Sequence, residues 1–237
     1  MQDNDPFHRR KMVTCIHYFS ASGHSKAVAE YLANELQSEI IEIPHKGKPA
    51  DVAIVVFPVY CQNIPPIVQS HLPKIDAQRF ILVATYGRMS FGNVLAEAAQ
   101  LIKGNVIAAA YVPTGHSYLK QGDSFLKEQL DLILKHIDSN KAITIPRFHK
   151  NIFADFFPGL RSRMGVKITR SGLCNKCGLC TQICPNRATK NGVTNHRCIR
   201  CLRCVNACPQ KALDFQLSIF MKWYLRKPRE ERFLLFD

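Results

Sequence analysis

No run of about eighteen apolar residues occurs anywhere in the 237-residue chain, so a membrane-spanning helix is not expected. The opening segment MQDNDPFHRRKMVTCIHYF has neither the apolar stretch nor the small-residue cleavage site of a secretory signal. The expected compartment is therefore the reducing cytoplasm. Cysteine is scarce at first: Cys15 and Cys61 are the only two before Cys174, and the other eight of the ten lie between Cys174 and Cys208. In a reducing compartment such crowding points to metal ligands rather than disulfides. Acidic residues are scarce in one part only. Residues 1–140 hold 13 Lys and Arg against 13 Asp and Glu, while residues 141–237 hold 19 against 5, so the whole net charge of +14 sits beside the cysteines. That break near Asn140 marks the first expected domain boundary.

Before the break, two kinds of segment alternate. KMVTCIHYF, EIIEI, DVAIVVFPVY, RFILVATYG and NVIAAAYVPTG are short and rich in apolar or β-branched residues. Between them, SKAVAEYLANELQ sets Val28, Tyr31, Leu32 and Leu36 at helical spacing; IPPIVQSHLPKI, SFGNVLAEAAQLIKG and SFLKEQLDLILKHID also read as helices. DVAIVVFPVY is apolar throughout, as a central parallel strand covered on both faces must be. Five strands alternating with helices predict an open, doubly wound, five-stranded parallel α/β sheet over residues 11–140. Ligands of such sheets bind in the crevice beyond the carboxyl ends of the strands.

The residues after the first strand are Ser20-Ala21-Ser22-Gly23-His24-Ser25, at the start of a helix. They match neither GxGxxG nor the P-loop pattern. One serine would suffice as an N-cap. Three around a glycine favour an anion, held by the unpaired N–H groups and partial positive charge of a helix N-terminus.

YFSASGHSKAVAEYLA resembles the phosphate loop of flavodoxins, which bind FMN. Two later stretches resemble that family in the same order: Phe57-Pro58-Val59-Tyr60 the loop over one side of the isoalloxazine, Thr85-Tyr86-Gly87-Arg88 the loop over the other. The resemblance implies that Ser20, Ser22, Gly23, His24 and Ser25 hold the phosphate. It also implies that Pro58, Tyr60, Thr85, Tyr86 and Gly87 lie by the ring, where Arg88, if it points inward, would favour an anionic reduced form. Pro113–Tyr118, after the fifth strand, is a weaker third candidate. The domain departs from the family in being neutral where flavodoxins are usually acidic. Cys15 reads as a small buried hydrophobe, and Cys61, near the expected rim, as either that or a reactive thiol. His17, His45, His71, His136 and His149 share no spacing and receive no role.

Cys174-x2-Cys177-x2-Cys180-x3-Cys184-Pro185 recurs as Cys198-x2-Cys201-x2-Cys204-x3-Cys208-Pro209. This is the duplicated spacing of bacterial ferredoxins with two [4Fe–4S] clusters, in which the fourth cysteine of each run serves the other cluster. Cys174, Cys177, Cys180 and Cys208 are thus expected on one cluster, and Cys198, Cys201, Cys204 and Cys184 on the second. A zinc ribbon needs two CxxC pairs and has no use for a third step followed by Cys-Pro, twice over. The intervening ATKNGVTNH carries an Asn-Gly hairpin signal. Residues 166–215 are therefore expected to form a small α+β ferredoxin-like domain, after a linker over 141–165 and before a basic tail over 216–237. Phe148, Ile152, Phe153, Phe156 and Phe157 suggest that the linker packs, and the tail, broken by Pro228, is expected to dock on the protein.

Two clusters at about −2 each would offset only about 4 of the 14 positives. The remaining basic surface would raise cluster potentials and steer an acidic redox protein. No nucleic-acid motif accompanies it. Taken whole, the chain resembles flavodoxin–ferredoxin fusion proteins, which implies an electron carrier between two [4Fe–4S] clusters and FMN. The alternatives are an FMN-dependent reductase of a small organic substrate, with His116, Tyr118 or Tyr60 as proton donor, and a redox or oxygen sensor. A homodimer stays open.

Overall fold

The computed structural model describes residues 12–119, 125–151, 154, 158–226 and 231–237. Of the residues expected to pack the linker, Ile152, Phe153, Phe156 and Phe157 lie outside these, as does Pro228. Strand β1 (Thr14–Tyr18) lies between β2 (Glu39–Glu42) and β3 (Ala50–Pro58); β4 (Ala77–Tyr86) and β5 (Asn105–Pro113) follow beyond β3, all parallel. The order 2-1-3-4-5 is that of flavodoxin-like sheets, with the switch point between β1 and β3.

Both faces are covered, which explains the unbroken apolar strands. Val52, Ile54 and Val56 of β3 point to one side and meet Val28 and Leu32 of α1 (His24–Leu36). Ala53, Val55 and Phe57 point to the other and share a core with Val68 of α2 (Pro66–Gln69) and Leu95 of α3 (Val94–Ala99). Helix α4 (Lys127–Leu134) adds Leu130 and Ile133 to the α1 side.

A second, smaller assembly follows α5 (Pro158–Gly165). Strand β6 (Val166–Arg170) pairs antiparallel with β9 (Leu213–Leu217), and between them stand α6 (Leu179–Gln182), the hairpin β7 (Thr189–Lys190) and β8 (Val193–Thr194), and α7 (Arg203–Asn206). The hairpin turns through Asn191 and Gly192, φ 46° and 80°, the geometry for which Asn-Gly is favoured. Helix α8 (Ile219–Tyr224) leads to β10 (Leu234–Phe236), which adds antiparallel to β5, Leu234 opposite Tyr111. The sheet is therefore mixed and six-stranded, not five-stranded and parallel throughout. The tail supplies the sixth strand because β5 otherwise presents an unpaired edge. Phe148 packs against Tyr111 and Phe236. Among the described residues no helix is long and apolar enough to cross a membrane.

One buried pair departs from the apolar rule. His17 and His71 lie with ring centroids 5.5 Å apart, and His17 Nδ1 and His71 Nε2 have no hydrogen-bond partner among the described residues. Burial, then repulsion from His71, lowers the pKa of His17 from 6.5 to about 4; burial also lowers that of His71. The unfolded chain therefore binds protons first. The contribution of the pair is fully present above pH 6.5 and is lost as pH falls toward about 4. Urea unfolding across that window should show falling stability, and His17→Asn should flatten the decline. An equally steep decline in His17→Asn would contradict the assignment.

Candidate functional site

Two cavities divide the eight cysteines into two sets of four. Cys174, Cys177, Cys180 and Cys208 line the first. Cys184, Cys198, Cys201 and Cys204 line the second. Each set takes three thiols from one run and the fourth from the other. Among the described residues no three His, Cys, Asp or Glu side chains close round a single metal ion.

The backbone is duplicated as well. Lys176, Gly178 and Arg187 have φ of 60°, 80° and 49°, and Arg200, Leu202 and Lys211, at the same offsets from their cysteines, have 57°, 63° and 47°. Five of the six are not glycine, so the left-handed turns carry strain that the fold retains. Turns of this kind aim successive N–H groups into a concavity, as at many iron–sulfur sites. The Ala188 N–H and Thr189 hydroxyl donate to Cys184 Sγ at 3.1 and 3.8 Å. Burial pushes the Cys201 thiol up to about 12 and Cys204 to about 11, so neither ionises near neutrality unless a cation holds the thiolate. The two sets of four thiols and the left-handed turns beside them fit [4Fe–4S] groups.

At the crevice of the large sheet, α1 begins at Gly23 with no side-chain cap and no acidic residue in its first turn. Gly23 has φ 100°, and nothing lies within 4 Å of where a Cβ would stand, so the approach to the helix N-terminus is open. The Gly23 N–H donates to Ser20 Oγ at 3.1 Å. Ser25 Oγ and Thr85 Oγ1 lie 2.8 Å apart in the interior, tying the helix start to the end of β4. The weaker third candidate closes over both loops: the Ser117 hydroxyl donates to Ser22 Oγ at 3.2 Å, and His116 lies so close to Gly87 that a Cβ there would stand 2.6 Å from its ring. Tyr60 follows Pro58, the last residue of β3, and its hydroxyl is buried without a hydrogen-bond partner among the described residues.

Two expected ring contacts are placed elsewhere. Tyr86 is 2% exposed, with its ring against Phe91 in the core; its hydroxyl donates to the Arg232 carbonyl at 2.7 Å and accepts from the Arg232 N–H at 2.9 Å. Its side chain has the same parity along β4 as Phe80, Leu82 and Ala84, all in that core, which alternation along the strand could have revealed. Arg88 pairs at 3.0 Å with Glu231 of the tail. Cys61 is exposed at the turn after β3, and desolvation by its surroundings pushes its thiol pKa up against the lowering effect of Arg161. The loop at Gly23 and the orphaned Tyr60 hydroxyl fit a phosphate-bearing flavin; a planar ring beside Gly87 requires His116 to turn aside.

The second cavity is built against this crevice. The Tyr118 hydroxyl donates to the Arg200 carbonyl at 2.9 Å, and Asn206 Nδ2 donates to the Ala21 carbonyl, inside the phosphate-type loop, at 3.3 Å. Arg203 pairs with Glu42 and lies 5.8 Å above the Phe19 ring. Cys201 belongs to the same apolar core as Phe19 and Tyr86. Burial, then Cys201, holds the Tyr60 hydroxyl well above its ordinary pKa. Spacing of cysteines gave no hint of Arg200, Arg203 and Asn206 as interface residues, because their role depends on how two domains pack.

The C-terminal cavities define an iron–sulfur protein, and two matches to known domains agree. A 4Fe–4S binding domain matches residues 193–214, and a second 4Fe–4S binding domain matches residues 171–187. No curated protein matches. Solved structures similar to the larger half include a candidate flavoprotein from Bacteroides uniformis, 17% identical, covering 52% of this chain and 98% of that one, TM-score 0.40. A candidate flavoprotein from Bacteroides eggerthii is 15% identical over 52% of this chain and 96% of that one, TM-score 0.36. A short-chain flavodoxin associated with a PDU bacterial microcompartment is 16% identical over 53% and 96%, TM-score 0.40. The flavodoxin-like assignment of the sheet rests on its strand order.

Proposed function

We propose that the protein is an electron-transfer iron–sulfur flavoprotein of the flavodoxin–ferredoxin fusion type, with FMN at the crevice and a [4Fe–4S] cluster in each cysteine-lined cavity. In this reading residues 11–140 are the flavin domain, 141–165 the linker, 166–215 the ferredoxin domain and 216–237 the tail. FMN supplies one- and two-electron exchange and each cluster one-electron exchange. The chain's own part is to hold these groups and keep water out. Ser20, Ser22, His24 and Ser25 present hydroxyls, N–H groups and an imidazole to the phosphate around the open Gly23. Pro58, Tyr60, Thr85 and Gly87 bound the ring, with Tyr86 contributing only backbone.

The observation that supports the reading is the contact of Asn206 with Ala21 and of Tyr118 with Arg200 across the two halves, which brings the Cys184, Cys198, Cys201 and Cys204 cavity up to the loop after β1. That cavity is the one proposed to face FMN, leaving the Cys174, Cys177, Cys180 and Cys208 cavity to meet an acidic, cytoplasmic redox partner. Anaerobic reductive titration followed by visible spectra and EPR is expected to count three centres per chain, with about eight iron atoms and one flavin. Zinc in place of iron, or iron-loaded protein that never takes up added FMN, overturns the reading.

A cavity of about 460 Å³, lined in part by Tyr60, Pro65, Leu101, Lys150 and Ile199, favours a second reading. Its size suits a small organic molecule, and Tyr60 borders both it and the proposed ring site. The protein would then be a reductase fed by its own clusters, detectable as reoxidation of the reduced protein by a small organic acceptor.

A further inference from the structure

Five of the eleven exposed large apolar side chains among the described residues lie on two helices that meet at their ends. Ile219, Phe220 and Trp223 of α8 are 88%, 65% and 56% exposed; Met164 and Leu160 of α5 are 71% and 43% exposed. The end of α5 meets the start of α8: the Ser218 N–H donates to the Gly165 carbonyl at 2.9 Å, and a Cβ on Gly165 would run into Met221 Cε. Ser218 caps α8 by accepting from the Met221 N–H at 3.2 Å, which fixes the helix that carries three of the five. Clustered apolar exposure of this kind marks an interaction face, whereas single exposed apolar residues do not.

The charge around the patch is predominantly positive. Residues 158–173 and 213–226 contain Arg161, Arg163, Lys167, Arg170, Lys222 and Arg226 against the single acidic residue Asp214, which stands on β9 opposite Thr169. The complement is a surface both apolar at shallow depth and anionic above. Single-stranded nucleic acid would use the aromatic faces of Phe220 and Trp223, but the two most exposed residues, Ile219 and Met164, offer no ring for a base to stack on. Acyl chains accept aliphatic and aromatic side chains alike, while anionic headgroups take the arginines and lysines.

We propose that α5 and α8 together form a docking face for an anionic lipid bilayer, with Ile219, Phe220, Trp223 and Met164 entering the interface and the surrounding basic residues meeting the headgroups. The proposal does not depend on the flavin reading. Trp223 is the only tryptophan in the chain, so its fluorescence reports this face alone. The full-length, cofactor-loaded protein, mixed with vesicles of phosphatidylglycerol and phosphatidylcholine, is expected to sediment with them and to shift Trp223 emission to the blue. Vesicles of phosphatidylcholine alone should do neither. The Ile219→Ser/Phe220→Ser double variant keeps the net charge and should lose about tenfold or more in apparent affinity, with iron content unchanged. Equal sedimentation of this variant would mean that bulk charge alone draws the protein to the vesicles, and would overturn the proposal. So would sedimentation without any shift of Trp223. A shift on adding single-stranded oligonucleotide and none with vesicles would reassign the face to nucleic acid. Concentration-dependent dimerisation abolished by the double variant, with no vesicle binding, would reassign it to a second copy of the chain.

Discussion

Cys201→Ser is expected to remove roughly half of the protein-bound iron and to cut electron delivery to the flavin at least about a hundredfold. Cys177→Ser is expected to remove the same share of iron. The two variants should differ in everything else. Cys201 lines the cavity that abuts the crevice and lies within the apolar core shared with Phe19, Phe57 and Tyr86. Losing a cluster there would leave three thiols, two of them buried, around an unfilled space, next to Arg200 and Arg203, whose backbone and side chain make the contacts between the halves. The small domain has two-residue hairpin strands and four-residue helices, too little core to stand without its metal groups. Its melting temperature should therefore fall sharply in Cys201→Ser. Cys177 is exposed and lines the outer cavity. Its replacement should lower iron with a smaller loss of stability and leave reduction of the flavin through the inner cluster measurable with a small reductant. Iron analysis, thermal melting and anaerobic stopped-flow on the two variants together check this. Equal effects on flavin reduction would remove the distinction between inner and outer cavities.

The second large effect separates ligand binding from folding at one residue. Ser22 stands one position before Gly23, where α1 starts without a side-chain cap or an acidic first turn. A carboxylate near a helix N-terminus stabilises the helix, by about 0.3–1 kcal/mol at exposed sites. A carboxylate in a phosphate site repels a dianion and removes a hydroxyl donor, a loss of about a hundredfold in affinity. Ser22→Asp is thus expected to hold or raise the melting temperature of the flavin-free protein while FMN affinity, read by fluorescence quenching on titration, falls about a hundredfold. Loss of flavin together with loss of stability would show only that the loop had been damaged. Unchanged affinity would place the phosphate elsewhere.

Much of this was legible before any coordinates. Continuous apolar segments such as DVAIVVFPVY are forced by burial on two faces, and the chain order of strands and helices then admits few topologies. The cysteine spacing is more specific still, since four thiols at steps of three, three and four have few other uses. What escaped has physical causes. The tail strand Leu234–Phe236 is three residues long and carries no periodicity of its own; it exists because β5 offers an edge. The left-handed turns at Lys176, Arg200 and Leu202 leave no mark in the sequence, because those residue types do not favour positive φ. The loops expected to hold a flavin rest on likeness to a family, and likeness does not say which way a side chain points: Tyr86 turns into the core and Arg88 to Glu231.

The proposed function needs two redox sites held against each other in one molecule. Anaerobic stopped-flow reduction, with the electron donor in saturating excess and protein concentration varied tenfold, tests it most directly. A flavin reduction rate independent of protein concentration is the predicted result. A rate that rises in proportion to protein concentration would mean that electrons reach the flavin only by collision between molecules, and would contradict the assignment of the Cys184, Cys198, Cys201 and Cys204 cavity as its neighbour.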